Sequence, residues 1–417
     1  MKKDFTYPML ICYFLLIIIF SFIFYGFVDV LKGFIKIQIS PSRLIADYFA
    51  IAGIGGTLFN ASILSLLSII LLLILKIKIS GPSIAAIFTI FGFALFGKNI
   101  PSVLFLWLGV FISSRITRKK FIEYIYIALF GSALSPVFSL ISFESGLSIL
   151  PALLIGFTFT TIIGAFLPPV AIYMLRLHQG FNLYNVGMTA GFLSLFISSI
   201  LRNLNIDLKL LEFWTNQSSH IDIFIVPLTC ILFIIIGIYK APKKSLLQFI
   251  NLQKQGGRLP SDFFNTHGFE AVLINMGLLT LLYYIYVLTT GSPTNGPVLG
   301  GLFTILGFAA FGKNLRNCLP VLAGVVLTAI WLKKPLNSPP IILGALFSTT
   351  LAPIAGNFGI FLGIIAGGLH IILVQFTAGW AGGINLYNNG FAGGLVATFI
   401  VSIMDWLENA SVIKLNK

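Results

Sequence analysis

Gly81 to Asn99 reads GPSIAAIFTIFGFALFGKN, and Gly296 to Asn314 reads GPVLGGLFTILGFAAFGKN. Lys98 and Lys313 lie 215 residues apart, and 12 of the 19 positions match without a gap. Gly81 answers Gly296, Pro82 answers Pro297, Thr89 answers Thr304, and both stretches close on Phe-Gly-Lys-Asn. A merely apolar background does not produce such matches. The chain is a duplicated one, and two copies of one unit must fit together around whatever it does.

Of 417 residues 58% are hydrophobic and only 9% charged, and the mean hydropathy is +1.01. A soluble domain is about a quarter charged, so a soluble globule is excluded. Apolar runs long enough for a ~30 Å hydrocarbon layer recur throughout. Runs such as Ile63 to Leu75 lack the alternation of a barrel strand. The expected class is an all-α polytopic membrane protein with about 10–14 membrane segments, short or re-entrant helices included.

The net charge of +14 sits mostly in short connections between apolar runs. That is the cytoplasmic Lys/Arg excess of an integral protein of the bacterial cytoplasmic membrane. No basic and aromatic module stands outside the membrane to bind nucleic acid. Cys12, Cys230 and Cys318 show neither metal spacing nor a disulfide framework. Met1-Lys2-Lys3 followed by Pro8 to Val28 looks like a signal sequence with too long an apolar run, and reads as an uncleaved first helix.

Seven apolar elements fill the first half: Pro8–Val28, Gly55–Leu75, Pro82–Phe96, Ile100–Ser113, Phe121–Ser139, Ser148–Leu175 and Leu183–Leu201. Adding 215 carries the first four close to Asp222–Tyr239, Gly268–Leu288, Pro297–Phe311 and Leu319–Leu332. Asp47 falls on Asp262, Gly53 on Gly268 and Asn60 on Asn275. The last three recur as Pro340–Pro353, Phe358–Phe376 and Leu386–Trp406. The expected division is a first repeat at 1–205, a linker at 206–221, a second repeat at 222–406 and a tail at 407–417.

Asn182-Leu183-Tyr184-Asn185-Val186-Gly187 is answered, 203 residues later, by Asn385-Leu386-Tyr387-Asn388-Asn389-Gly390. The first half therefore carries 12 extra residues between its landmarks, around Pro151, Pro168, Pro169 and His178, as an overlong helix would. Both motifs run on as small-xxx-small, Gly187/Gly191 and Gly390/Gly394, a spacing that lets helix backbones approach closely. An odd number of elements per half turns the second copy over in the bilayer, giving inverted repeats. Arg115, Arg118, Lys119 and Lys120, with Lys240, Lys243, Lys244, Lys254 and Arg258, then face the cytoplasm. Lys32, Lys36, Arg43, Lys333 and Lys334 fall on the outer side.

Pro82 to Phe96 and Ile100 to Ser113 are short of the ~20 residues of a full span. They are either tilted spans joined by a surface turn or a re-entrant hairpin; in the hairpin, the favoured form, Gly97-Lys98-Asn99 and Gly312-Lys313-Asn314 near the midplane from opposite faces. Ammonium groups at such a depth mark ion or substrate paths, against a bland reading as snorkelling surface turns. Asn99 and Asn314 both donate and accept, and so replace water around a small solute. Asn182, Tyr184 and Asn185, with Asn385, Tyr387 and Asn388, follow Gly180 and Gly383 where helices begin. Helix starts offer free N–H groups and partial positive charge to an anion or polar solute; the bland reading is N-capping with an interfacial Tyr.

No catalytic constellation is present in the sequence, so an enzyme, a cofactor and a metal site are not expected. His178, His220, His267 and His370 are scattered; His370 stands in an apolar run without a twin, and Glu270 is an isolated acid. The expected function is a channel or secondary transporter for a small polar or anionic solute, its path between the halves. The alternative is a non-transporting scaffold or lipid-handling protein. Expected partners are the lipid bilayer, the solute and further copies of the chain.

At the FGKN and NLYN-x-G stretches the chain resembles a family of bacterial polytopic membrane proteins with no assigned function, roughly this length throughout. A fainter likeness is to urea transporters, which are inverted repeats carrying Tyr/Phe-Asn followed by Gly at a helix start in each half. Tyr184-Asn185 and Tyr387-Asn388 resemble that pattern. That family's Leu-Pro-x-x-Thr is not matched: neither Leu167-Pro168-Pro169 nor Leu319-Pro320-Val321 continues to a Thr.

Overall fold

The computed structural model describes residues 5–40, 42, 44–206, 208, 213–216, 222–239 and 241–410. The first half holds α1 (Thr6–Tyr25), α2 (Phe27–Gln38), α3 (Tyr48–Ile74), α4 (Gly81–Phe93), α5 (Ile100–Ile116), α6 (Ile125–Gly131), α7 (Pro136–Glu144), α8 (Ile149–Leu177) and α9 (Asn185–Asn203). The second holds α10 (Asp222–Tyr239), α11 (Pro242–Leu252), α12 (Phe263–His267), α13 (Phe269–Thr289), α14 (Gly296–Phe308), α15 (Leu315–Trp331), α16 (Pro339–Phe347), α17 (Ala352–Phe358), α18 (Ile360–Trp380) and α19 (Asn388–Asn409). Among the described residues 8 helices are long and apolar enough to cross a membrane, or up to 10 if each bent pair is one span. This is an all-helical integral membrane protein of two homologous halves.

The element lists of the two halves agree down to their breaks. Gly53 interrupts α3 at φ 74, ψ 163, and Gly268 separates α12 from α13 at φ 86, ψ 163. Only glycine takes that conformation without steric cost, so both copies keep it. The elements differ from the sequence reading in three places. Gly26, at φ 76, ends α1 before Val28, and a separate amphipathic helix, α2, follows. Phe121–Ser139 is one apolar run but not one helix: a 3₁₀ turn at Ser132–Leu134 parts α6 from α7. The run Pro340–Pro353 breaks in the same way at Ser348–Leu351. A Ser/Thr-rich stretch ahead of Pro136 and Pro353 supplies both breaks, because proline removes a backbone donor and hydroxyls compete for the freed carbonyls.

Part of the stretch expected as a linker is held in place. Phe213 pairs with Ala46 as a single parallel bridge, and Thr215 N donates to Asp47 Oδ2 at 3.2 Å. Residues 213–215 are thus fixed to the first half, while 207, 209–212 and 217–221, with His220, lie outside the described residues. Lys240, Arg43 and 411–417 of the tail lie outside them too, and α19 extends to Asn409.

Equivalent helices α4 and α14 pack against each other along their whole length, and they run antiparallel. A Cβ on Gly92 would lie 2.5 Å from Gly300 O, one on Gly307 would meet Ala85 and Phe88, and Phe88 stacks on Phe303 between them. At the ends Gly81 abuts Ala310 and Gly296 abuts Leu95, so each helix start meets the other's finish. An antiparallel pair of equivalent helices sets the two-fold relating the halves across the helix direction. With helices along the bilayer normal, that axis lies in the membrane plane, which is the inverted-repeat arrangement.

Each half also caps the other. Asp47 Oδ1 accepts from Phe49 N (3.0 Å) in its own helix and from Gly296 N (3.2 Å) at the start of α14. Asp262 Oδ1 accepts from Asn265 N (3.0 Å) and from Gly81 N (3.0 Å) at the start of α4. A carboxylate at a helix N-terminus satisfies free N–H groups and complements the dipole. The halves are interlocked, not merely apposed.

Candidate functional site

The turn from α4 to α5 is buried. Lys98 and Asn99 are 0% exposed, as are Lys313 and Asn314 in the second copy, which places the corners inside the protein and not at a snorkelling surface. An identical clamp shapes each corner. Asn60 Nδ2 donates to Ala94 O and Lys98 O, both at 3.0 Å, and Asn275 Nδ2 to Ala309 O and Lys313 O, both at 2.8 Å. Gln38 bridges Asn60 to Ile100 N, and Gln253 bridges Asn275 to Leu315 N. Asn60 and Asn275 are visible in the sequence as a matched pair; the glutamines that complete the clamp are not singled out there.

The two repeated motifs, separate in sequence, form one constellation across the halves. Lys98 Nζ donates to Ser132 Oγ (2.7 Å) in the α6–α7 break and to Tyr387 OH (2.5 Å) of the other half. Lys313 Nζ donates to Thr349 Oγ1 (2.7 Å) and to Tyr184 OH (2.5 Å). The backbone locks the same crossing: Leu386 N donates to Ala133 O, and Leu183 N to Thr350 O, each at 3.0 Å. Each amine is roofed by aromatic faces, Lys98 by Tyr387 (4.6 Å) and Phe93 (5.3 Å), Lys313 by Tyr184 (4.5 Å) and Phe308 (4.9 Å). No carboxylate among the described residues pairs with either lysine. Hydroxyls and ring faces are their partners.

Asn99 and Asn314 cap α5 and α15, accepting from Ser102 N (3.1 Å) and Asn317 N (2.9 Å). Neither lines the cavity described below, and Asn314 Nδ2 is engaged by Leu252 O and Gln255 O. Asn182 and Asn385 fold the backbone back, accepting from Tyr184 N (3.2 Å) and Tyr387 N (2.9 Å). Asn185 and Asn388 tie the starts of α9 and α19 to the preceding long helix, donating to Ala171 O (3.1 Å) and Val374 O (3.2 Å). Gly180 and Gly383, both at positive φ, precede these starts. Glu270 sits in the first turn of α13, away from this cluster.

The starts of α9 and α19 meet at Gly187 and Gly390, where a Cβ on Gly187 would lie 3.1 Å from Gly390 Cα. Beside that contact is a cavity of about 170 Å³, and its wall reads as pairs: Thr89 and Thr304, Phe93 and Phe308, Tyr184 and Tyr387, Gly187 and Gly390. It therefore straddles the two-fold between the halves. Most of the wall is aromatic or aliphatic; the hydroxyls, Asn185 and Asn389 and the first turns of both helices are its polar points. Thr89 is buried, 2% exposed, and its Oγ1 has no hydrogen-bond partner. Thr304 Oγ1, its twin, returns its proton to Gly300 O. Ser132, Thr349 and Asn389 are the members that sequence reasoning passed over. The first two differ between copies and sit inside apolar runs, and Asn389 answers to an apolar residue, Val186, in the other half.

Two interlocked copies, three broken helical segments from each, and a cavity on the axis between them define a polytopic membrane protein of inverted-repeat architecture. The chain belongs to the family described as "Protein of unknown function (DUF1576)", whose profile matches residues 28–203 and 241–406. Neither a curated protein nor a solved structure matches the chain, so the likeness to urea transporters has no support beyond the short pattern.

Proposed function

We propose that the protein is a channel or secondary transporter of the bacterial cytoplasmic membrane, moving a small polar or anionic solute between its halves. The observation that carries this reading is the axial cavity. It is built from the repeated residues themselves, at the meeting of two helix starts, and it holds an unpartnered buried hydroxyl on Thr89. Buried polar groups are satisfied by protein, water or ligand, and helix starts favour negative or electron-rich groups. A volume of about 170 Å³ is below the range of about 300–1,000 Å³ for drug-sized ligands, so the solute has few heavy atoms. Irregular backbone inside a membrane protein is tolerated where it is buried or lines a cavity. The lysines stand behind the tyrosines and outside the wall.

The test is solute flux in proteoliposomes, read by light scattering over a panel of urea, glycerol, formate, acetate and nitrate. At least one solute is expected to cross faster than in protein-free vesicles. Filling the cavity with Thr89→Leu and Thr304→Leu together is expected to cut that flux at least tenfold in protein that stays monodisperse. No flux for any solute, or unchanged flux in the filled variant, removes the axial route and leaves the scaffold reading.

A further inference from the structure

A second cleft, of about 320 Å³, adjoins the axial cavity, and the two share Asn389 in their walls. Leu44, Pro340 of α16, and Gln375 and Ala378 of α18 line it, and Asn388 lies where it approaches the axis. Leu44 N donates to Gly383 O at 3.0 Å, and exposed Arg202, at the end of α9, donates to Gly379 O at 2.6 Å. The cleft thus opens on the face where α9 ends. On the equivalent site of the opposite face, Gln179 donates to Asp405 of α19 at 2.7 Å, and Arg258 donates to Gln179 O at 2.8 Å. Arg258 belongs to the basic set expected in the cytoplasm, so the cleft lies on the outer face.

The duplication supplies an internal control. His370 Nε2 and Asn389 Oδ1 are 3.0 Å apart, and His370 is fully buried. At the offset of 203, the twins of His370 and Asn389 are Leu167 and Val186, both apolar. Gln375 and Ala378 answer to Ile172 and Leu175. Four apolar or bulky residues of one half thus answer to polar or small ones in the other, and three of these, Gln375, Ala378 and Asn389, line the cleft. In the same cleft Asn388 is only 4% exposed; its amide nitrogen donates to Val374 O, and its Oδ1 has no hydrogen-bond partner. An acceptor left open in this way takes a donor from water or from an N–H or O–H of a passing solute.

We propose that this cleft is the outer vestibule of the axial cavity, and that Asn389, positioned by His370, is the polar partition between them. The proposal rests on the transport reading for its purpose but not for its test. In chains carrying Cys12→Ser, a membrane-impermeant maleimide added to intact cells reports which positions the outer water reaches. Ala378→Cys is expected to react from outside, and Leu175→Cys is not; Gln375→Cys is the second vestibule probe should Ala378→Cys fail to accumulate. Thr304→Cys, inside the axial cavity, is expected to react at least tenfold faster when Asn389→Ala is added, and no faster with Asn389→Gln. Reaction of the vestibule cysteines only from the cytoplasmic side, or only with an apolar permeant maleimide as in a lipid-filled crevice, overturns the proposal. So does a Thr304→Cys rate that ignores Asn389→Ala. Labelling as expected with no solute flux keeps the vestibule and removes transport; flux without vestibule labelling does the reverse.

Discussion

Tyr387→Phe is expected to destabilise the protein by about 1–3 kcal/mol, the cost of depriving a buried polar group of its partner. The loss comes from Lys98, which keeps only Ser132 as an acceptor once the phenol is gone. Lys98→Met is expected to cost a similar amount, because it takes away the amine that donates to the buried Tyr387 hydroxyl. Replacing both partners by apolar groups leaves neither orphaned. Combining the two changes is expected to erase most of the Tyr387→Phe penalty, giving a coupling of at least about 1 kcal/mol, as contacting residues do. Tyr184→Phe with Lys313→Met is expected to behave alike, since Lys313 meets Tyr184 in the mirror position. Thermal unfolding in detergent checks both cycles. A neutral Tyr387→Phe would mean that the crossed lysine–tyrosine bond does not hold the corners together.

The larger structural effect is expected at the centre of the α4–α14 contact. A Cβ at Gly92 would lie 2.5 Å from the carbonyl oxygen of Gly300, a backbone atom that has no rotamer with which to yield. Gly92→Ala is expected to cost about 1–3 kcal/mol, the usual range for overpacking. Gly92→Leu is expected to abolish a monodisperse peak in size-exclusion chromatography. Gly379→Ala is the control: nothing lies within 4 Å of its added Cβ, so no change is expected. Equal behaviour of the Gly92 and Gly379 variants would show that α4 and α14 do not pack this closely.

Much of this arrangement was legible in the chain. The paired FGKN and NLYN stretches announce the duplication, and Gly53 with Gly268 and Gly180 with Gly383 mark the breaks at which they later appear. The crossing between copies was not legible. A repeat shows what was duplicated, while which copy faces which is decided by packing, and so Lys98 and Tyr387 read as two sites instead of one. Ser132 and Thr349 escaped because a 3₁₀ turn inside an apolar run leaves the hydropathy of the run intact. Helix α2 escaped for the opposite reason: Asp29, Lys32 and Lys36 on its exposed face lower the hydropathy below that of a span, although Val30, Gly33 and Ile37 bury a narrow stripe. Asp47 and Asp262 were visible as twins, yet capping a helix of the other half needs the fold to be known.

Asn99 and Asn314 carry a related lesson. Their retention beside the lysines suggests solute contact, but the helix that begins after each one uses the side chain as its N-cap. A free N–H at a helix start is satisfied most cheaply by the residue just before it. In the wall of the axial cavity it is Thr89 Oγ1 that has hydrogen-bonding capacity to spare, while the unpaired Nδ2 of Asn99 lies outside that wall.

The most direct measurement is a high-resolution density map of the protein in lipid nanodiscs, inspected in the axial cavity between Thr89, Thr304, Tyr184 and Tyr387. Ordered water or a small solute bonded to Thr89 Oγ1 is the expected result. A collapsed cavity, or one filled by an acyl chain with Thr89 turned back onto its own helix, would contradict a polar route between the halves.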